Sequence, residues 1–113
     1  MQKIGIVLGT RPEAIKLMPV IRALEEAGLK PKVFVTGQHQ ELLMPILSEL
    51  NISVTENLNL MEKDQDLGGL SARVLTGMQD LLRRYRPEIL LVQGDTTSVV
   101  MSAMACFYED ISV

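Results

Sequence analysis

Arg11 and Lys16 are two cations in a stretch that opens directly after an apolar run at residues 4–8. A helix that starts at the end of a buried strand presents free N–H groups and the positive end of its dipole. That suits an anionic ligand. Arg11 can grip a phosphate with two prongs, and Lys16 supplies a point charge. A solvated pair on a helix surface fits the two positions equally well. Thr10 and Glu13 have the spacing of a capping box, and Pro12 falls in the first turn, where its missing N–H costs nothing.

Asp95 follows a second apolar run, residues 89–92, within Gly94-Asp95-Thr96-Thr97. A carboxylate there can work as a general acid or base, or orient a sugar hydroxyl. Asp95, Thr96 or Thr97 can equally cap the next helix. A third polar loop, Thr36-Gly37-Gln38-His39, follows a strand pattern at residues 33–35. His39 is the sole histidine. It fits a structural role or a ligand contact, but no acidic or cysteine cluster joins it to make a metal site. If the strands run parallel, all three loops lie on one rim, where open α/β sheets bind ligands.

The elements that hold these loops alternate. Residues 3–8 form a strand, in which Gly5 either permits close packing or weakens it. A helix begins near Thr10 with Ile15, Met18, Ile21 and Leu24 on its apolar face. Pro19 should kink it and Gly28 should end it. After the strand at 33–35, residues 41–50 form a short helix with Leu43, Ile46, Leu47 and Leu50 inward and Pro45 near its first turn. Residues 54–60 hold a short strand and then a loop. The clearest helix spans 67–85, with Leu67, Leu70, Val74, Met78, Leu81 and Tyr85 recurring every three or four residues, and Pro87 stops it. Residues 89–92 read as a central strand buried on both faces. The last helix runs from about Thr97 to Tyr108, where Ser98, Ser102, Ala103 and Ala105 allow close packing. Residues 111–113 open one more strand. Repeated βα units imply a parallel sheet with right-handed crossovers, an α/β fold of three α/β/α layers.

Composition bounds the function classes. The chain has 113 residues, 47% hydrophobic and 22% charged, so it is one soluble globular domain at most. A net charge of −3 gives no reason to expect nucleic acid. Arg83, Arg84 and Arg86 cluster at a helix end, where cations favour the dipole. Cys106 is the single cysteine, which fits a reducing, cytoplasmic compartment and a buried, inert thiol. No apolar run is long enough to cross a membrane. Gly9-Thr10-Arg11 is not a dinucleotide fingerprint, and neither a P-loop nor a nucleophile elbow is present.

The segments Gly9–Lys16 (GTRPEAIK), Thr36-Gly37-Gln38-His39, Leu58-Asn59-Leu60-Met61 and Gly94-Asp95-Thr96-Thr97 together resemble the non-hydrolysing UDP-N-acetylglucosamine 2-epimerases, in order along the whole chain. The resemblance implies the Rossmann-like N-terminal half of a two-domain GT-B fold, with residues 1–113 an incomplete N-terminal domain. It implies interconversion of UDP-GlcNAc and UDP-ManNAc for surface polysaccharide, by elimination of UDP and its re-addition, with no cofactor or metal and a homodimeric parent. Arg11 and Lys16 then match ligand-binding cations, Thr10 and Thr96 substrate contacts, and Asp95 a catalytic carboxylate. Gln38 and His39 match a loop near an allosteric sugar-nucleotide site. Glu41 stands where a Gln is common and Asp64 about where an Arg is used; an acid at either position disfavours a diphosphate.

The same resemblance implies that a His-x-Glu-Ala-Gly-Leu-Arg run with a second carboxylate, and a domain gripping most of the UDP, lie beyond Val113. The 113 residues alone are then expected to be inactive, with apolar faces of the fourth strand and fourth helix partly uncovered. Two other classes remain compatible with the residues: a non-catalytic nucleotide-sugar-binding or interaction module, and part of a GT-B glycosyltransferase or hydrolysing epimerase.

Overall fold

The structure is a computed structural model that describes residues 3–37, 40–60 and 62–113. Among the described residues eight elements alternate: β1 (Ile4–Leu8), α1 (Arg11–Glu26), β2 (Lys32–Val35), α2 (Gln40–Glu49), β3 (Glu56–Asn57), α3 (Leu67–Tyr85), β4 (Ile89–Leu91) and α4 (Thr97–Tyr108). All strand pairs are parallel, in the order β3-β2-β1-β4. Parallel neighbours need a crossover, and each helix supplies one. Beyond β4, Ser112 forms a parallel bridge to Ile89, where the sequence pattern opens another strand.

Strand alternation divides the core into two layers. Ile4, Ile6 and Leu8 of β1, with Val33 and Val35 of β2, face α1 and α2. Val7, Phe34 and Leu90 point the other way, onto α3 and α4. Gly5 turns out to permit close packing. A Cβ there would lie 2.9 Å from Leu90 Cδ1 and 3.1 Å from Phe34 Cε2. The space holds the fully buried Phe34, whose ring meets Tyr85 at a centroid distance of 5.2 Å.

Several details differ from the sequence expectation. The buried stripe of α1 is Ala14, Leu17 and Ile21, supported by Met18 and Leu24, while Ile15 is 47% exposed. Residues 14, 17, 18 and 21 are the helical neighbours that face one direction, and the small Ala14 is fully buried. Helix α1 continues through Pro19. Pro45 lies in the second turn of α2, because that helix starts at Gln40. Leu67, the first residue of α3, is 73% exposed, so its buried stripe begins at Leu70. Ile89 and Leu91 are half-buried, and the outer side of α4 shows Val100, Met104, Phe107 and Tyr108, as expected for a partly uncovered face.

The C-terminal ends of the helices are closed by backbone. At α1 the Gly28 N–H donates to Glu25 O and the Leu29 N–H to Leu24 O, with Gly28 at φ +81°. Asn51 and Asp110 close α2 and α4 in the same way. The arginine cluster ends α3 and also ties it to its neighbours. Arg83 bonds Glu109, Arg84 bonds Glu56 and Asp80, and Arg86 donates to Glu109 O. Among the described residues no helix is long and apolar enough to cross a membrane.

Candidate functional site

Parallel pairing brings the exits of β1, β2 and β4 to one rim, as the three polar loops require. The centre of that rim is Glu13, only 2% exposed. Its carboxylate accepts three hydrogen bonds: from Gly9 N–H at 2.8 Å, Thr10 Oγ1 at 2.8 Å and Thr96 Oγ1 at 2.9 Å. The carboxylate charge also sits in the first turn of α1, where the helix dipole favours it.

This network alters the expected capping box. Thr10 and Thr96 are the N-caps of α1 and α4, yet neither side chain caps its helix. Both hydroxyls donate to Glu13 instead. Glu13 reaches past Thr10 to the N–H of Gly9, one residue upstream of the usual target. The loop after β1 is thereby bonded through one buried carboxylate to the loop after β4.

A second buried pair adds the β2 exit. Thr36 Oγ1 and Ser98 Oγ lie 2.9 Å apart. Gly9 makes room for this contact, since a Cβ on it would stand 2.4 Å from Ser98 Oγ. Gly37, at φ +86°, is pressed against Asn59, whose Cα would be 2.8 Å from a Cβ there. The Leu60 N–H donates to Thr36 O at 3.0 Å, so Leu58-Asn59-Leu60 buttresses the second loop.

On this frame the candidate side chains Arg11, Lys16 and Asp95 are exposed to solvent. Arg11 is the first residue of α1 and Asp95 immediately precedes the N-cap of α4, and both are exposed. Lys16 is exposed one turn further on. None of the three has a hydrogen bond or ion pair among the described residues. A step of five residues separates Arg11 from Lys16 by about 140° around the helix. They therefore border the rim from different sides and do not form one clamp. Thr10 is buried and Thr96 half-buried; with their protons on Glu13, they offer only acceptor lone pairs to a ligand. Gln38 and His39 lie outside the described residues, as does Met61.

Sequence reasoning missed the reach of Glu13 to Thr96 and the pairing of Thr36 with Ser98. Both partners are ordinary cap residues by type, and each bond spans more than 60 residues of chain. The one available signal was the placement of small residues, Gly9 and Ser98, at both loop exits.

Known proteins align with this chain throughout. The family model described as UDP-N-acetylglucosamine 2-epimerase matches residues 22–113. The UDP-N-acetylglucosamine 2-epimerase of Campylobacter jejuni is 42% identical over 113 residues, covering 99% of this chain and 30% of that protein. The Escherichia coli K12 protein of the same name is 39% identical over 112 residues. The Neisseria meningitidis UDP-GlcNAc 2-epimerase bound to UDP-GlcNAc superimposes with a TM-score of 0.88 at 38% identity, over 97% of this chain and 30% of that one. The Methanocaldococcus jannaschii enzyme in complex with UDP-GlcNAc and UDP gives a TM-score of 0.90 at 34% identity, over 97% of this chain and 31% of that one. The chain spans about 30% of the length of the curated relatives it matches.

Proposed function

Because the chain belongs to the UDP-N-acetylglucosamine 2-epimerase family, we propose that it forms one wall of the site in an enzyme interconverting UDP-GlcNAc and UDP-ManNAc, for surface polysaccharide. A second domain, beyond these residues, supplies the opposing wall and holds most of the uridine diphosphate. The working enzyme is a cytoplasmic homodimer.

The supporting observation is the Glu13 network, which fixes the loops carrying Arg11 and Asp95 on one rim while leaving both side chains open to a ligand. The reaction proposed is an elimination followed by re-addition. Removing the proton from C2 of the sugar while the C1–O bond to UDP breaks leaves 2-acetamidoglucal and UDP. Returning UDP to C1 and a proton to the other face of C2 gives the epimer. Arg11 neutralises charge developing on the departing diphosphate, where a charge-assisted contact is strongest, and Lys16 adds to the local positive field. Asp95 is the proton carrier on one face of C2. The Thr10 and Thr96 hydroxyls accept from the substrate while holding their protons on Glu13.

The test uses the complete protein that carries this chain. UDP-GlcNAc incubated in D2O should give UDP-ManNAc with deuterium at C2. Asp95→Asn should abolish both conversion and deuterium uptake. Normal turnover in that variant would remove Asp95 from the reaction, and free ManNAc as the product would identify a hydrolase.

A further inference from the structure

The opposite end of the sheet, away from the rim described above, carries a cavity of about 450 Å3. Lys3 directly precedes β1, Lys32 opens β2, and Lys30 lies in the turn between α1 and β2; all three line the cavity. Arg84, from the last turn of α3, is the fourth cation. Ile4, Tyr85 and Pro87 give the cavity an apolar floor.

The four charges differ in their partners. Arg84 is matched within the fold by Glu56 at 2.7 Å and Asp80 at 3.0 Å. The ammonium groups of Lys3, Lys30 and Lys32 have no hydrogen bond or ion pair among the described residues. The chain has 14 acidic residues and a net charge of −3, and Glu25, Glu26 and Glu88 also lie at this end, so the excess of cations is local to the cavity lining. Gathered, unneutralised cations at a concave surface focus positive potential. The volume falls within the roughly 300–1,000 Å3 usual for small-molecule sites. Gly28, which also lines the cavity, borders open space, since a Cβ on it would meet nothing within 4 Å.

We propose that this cavity binds an organic phosphate, a di- or triphosphate held by Lys3, Lys30 and Lys32 with its apolar or aromatic body against Ile4, Tyr85 and Pro87. Ammonium groups are compact, freely rotating donors, which suits the many oxygens of a polyphosphate better than one planar carboxylate. Because the cavity lies at the amino ends of the strands, its ligand leaves Arg11 and Asp95 free. The site stands independently of the epimerase chemistry proposed for the other rim.

The chain is titrated with inorganic tripolyphosphate, inorganic phosphate and 1-naphthyl phosphate while backbone amide shifts are followed. Saturable shifts centred on Lys3, Gly28, Lys32 and Tyr85 are expected, weakening as salt is raised. Naphthyl phosphate should bind more tightly than inorganic phosphate; equal affinity would remove the apolar floor from the site. Lys30→Glu/Lys32→Glu should weaken tripolyphosphate binding by roughly tenfold or more, as expected for losing charge-assisted contacts. Both positions are exposed, so the thermal transition should hold; if it does not, Lys30→Met gives the same readout with a smaller change. Shifts confined to residues 9–16 and 94–97, no saturation, or unchanged affinity in both lysine variants would overturn the proposal.

Discussion

Thr96 donates a hydrogen bond to Glu13 at 2.9 Å across 83 residues of sequence. The same carboxylate holds Gly9 and Thr10, so one side chain sets the relative position of the β1 and β4 exits. Everything proposed for the rim depends on that spacing. The acid that starts α1 is thus also a tertiary crosslink.

Glu13→Ala should cost about 2–4 kcal/mol, because it strands two hydroxyls and an N–H in a buried site. Urea unfolding measures this directly. Thr96→Val, which removes a single donor, should cost about 1 kcal/mol. Amide shifts at residues 94–98 in the Glu13 variant would register the loosened loop. A change under about 0.5 kcal/mol, typical of neutral surface sites, would mean the crosslink is not a stabilising element.

Gly9→Ala should destabilise by about 1–3 kcal/mol or more through overpacking. The added methyl would stand 2.4 Å from Ser98 Oγ and 2.7 Å from Ser98 Cβ, and the start of α4 has to move. Pairing it with Ser98→Gly should recover part of the loss. Additive losses in the double variant would argue against contact between these residues.

Asp95→Asn and Arg11→Ala should leave stability within about 0.5 kcal/mol, since both side chains are exposed and unpartnered among the described residues. In the complete protein the first should stop turnover. The second should weaken UDP binding by roughly tenfold, the value of one charge-assisted contact. Calorimetric titration with UDP separates the two, because Asp95→Asn should bind UDP nearly as the unaltered protein does.

Stability should fall as pH drops below about 4.5. Arg84 holds the Glu56 carboxyl under its ordinary value of 4.5, and Arg83 does the same for Glu109. A folded-state value below the unfolded one means the contribution is complete above the ordinary value and is lost as pH falls through the depressed one. Arg84→Met should make the acid limb of a stability–pH curve shallower. An unchanged limb would show that this surface pair contributes little.

Cys106 should resist alkylation in the folded chain. It is fully buried, and burial pushes its thiol up to about 11. Little thiolate exists at pH 8 in that state. Iodoacetamide labelling should track the unfolded fraction across a urea titration. Rapid labelling in the absence of denaturant would require a local opening of α4.

Much of the architecture was legible because it rests on local rules. The apolar runs of β1, β2 and β4, the stripe from Leu70 to Leu81 and the stop at Gly28 each follow from periodicity or backbone freedom within one segment. The register of α1 was less legible. Ile15 and Ala14 are both apolar, and only the sheet's position decides that the small one is buried. Pro45 was misplaced because the start of α2 has no strong cap signal.

The sequence by itself determined the alternation of elements, the parallel sheet, and the three polar loops whose residue types resemble one family. It determined these because helix and strand periods, caps and turn residues act over a few positions. Only the tertiary structure decided which polar groups meet. Thr10, Thr36, Thr96 and Ser98 are interchangeable as cap or turn residues, and their partners depend on distances set by the packing of α4 over Gly9. It also gathered Lys3, Lys30 and Lys32, distant in type-signal from any motif, around one cavity. Hydrogen bonds and fields act through space, so neither arrangement is written in the spacing of residues along the chain.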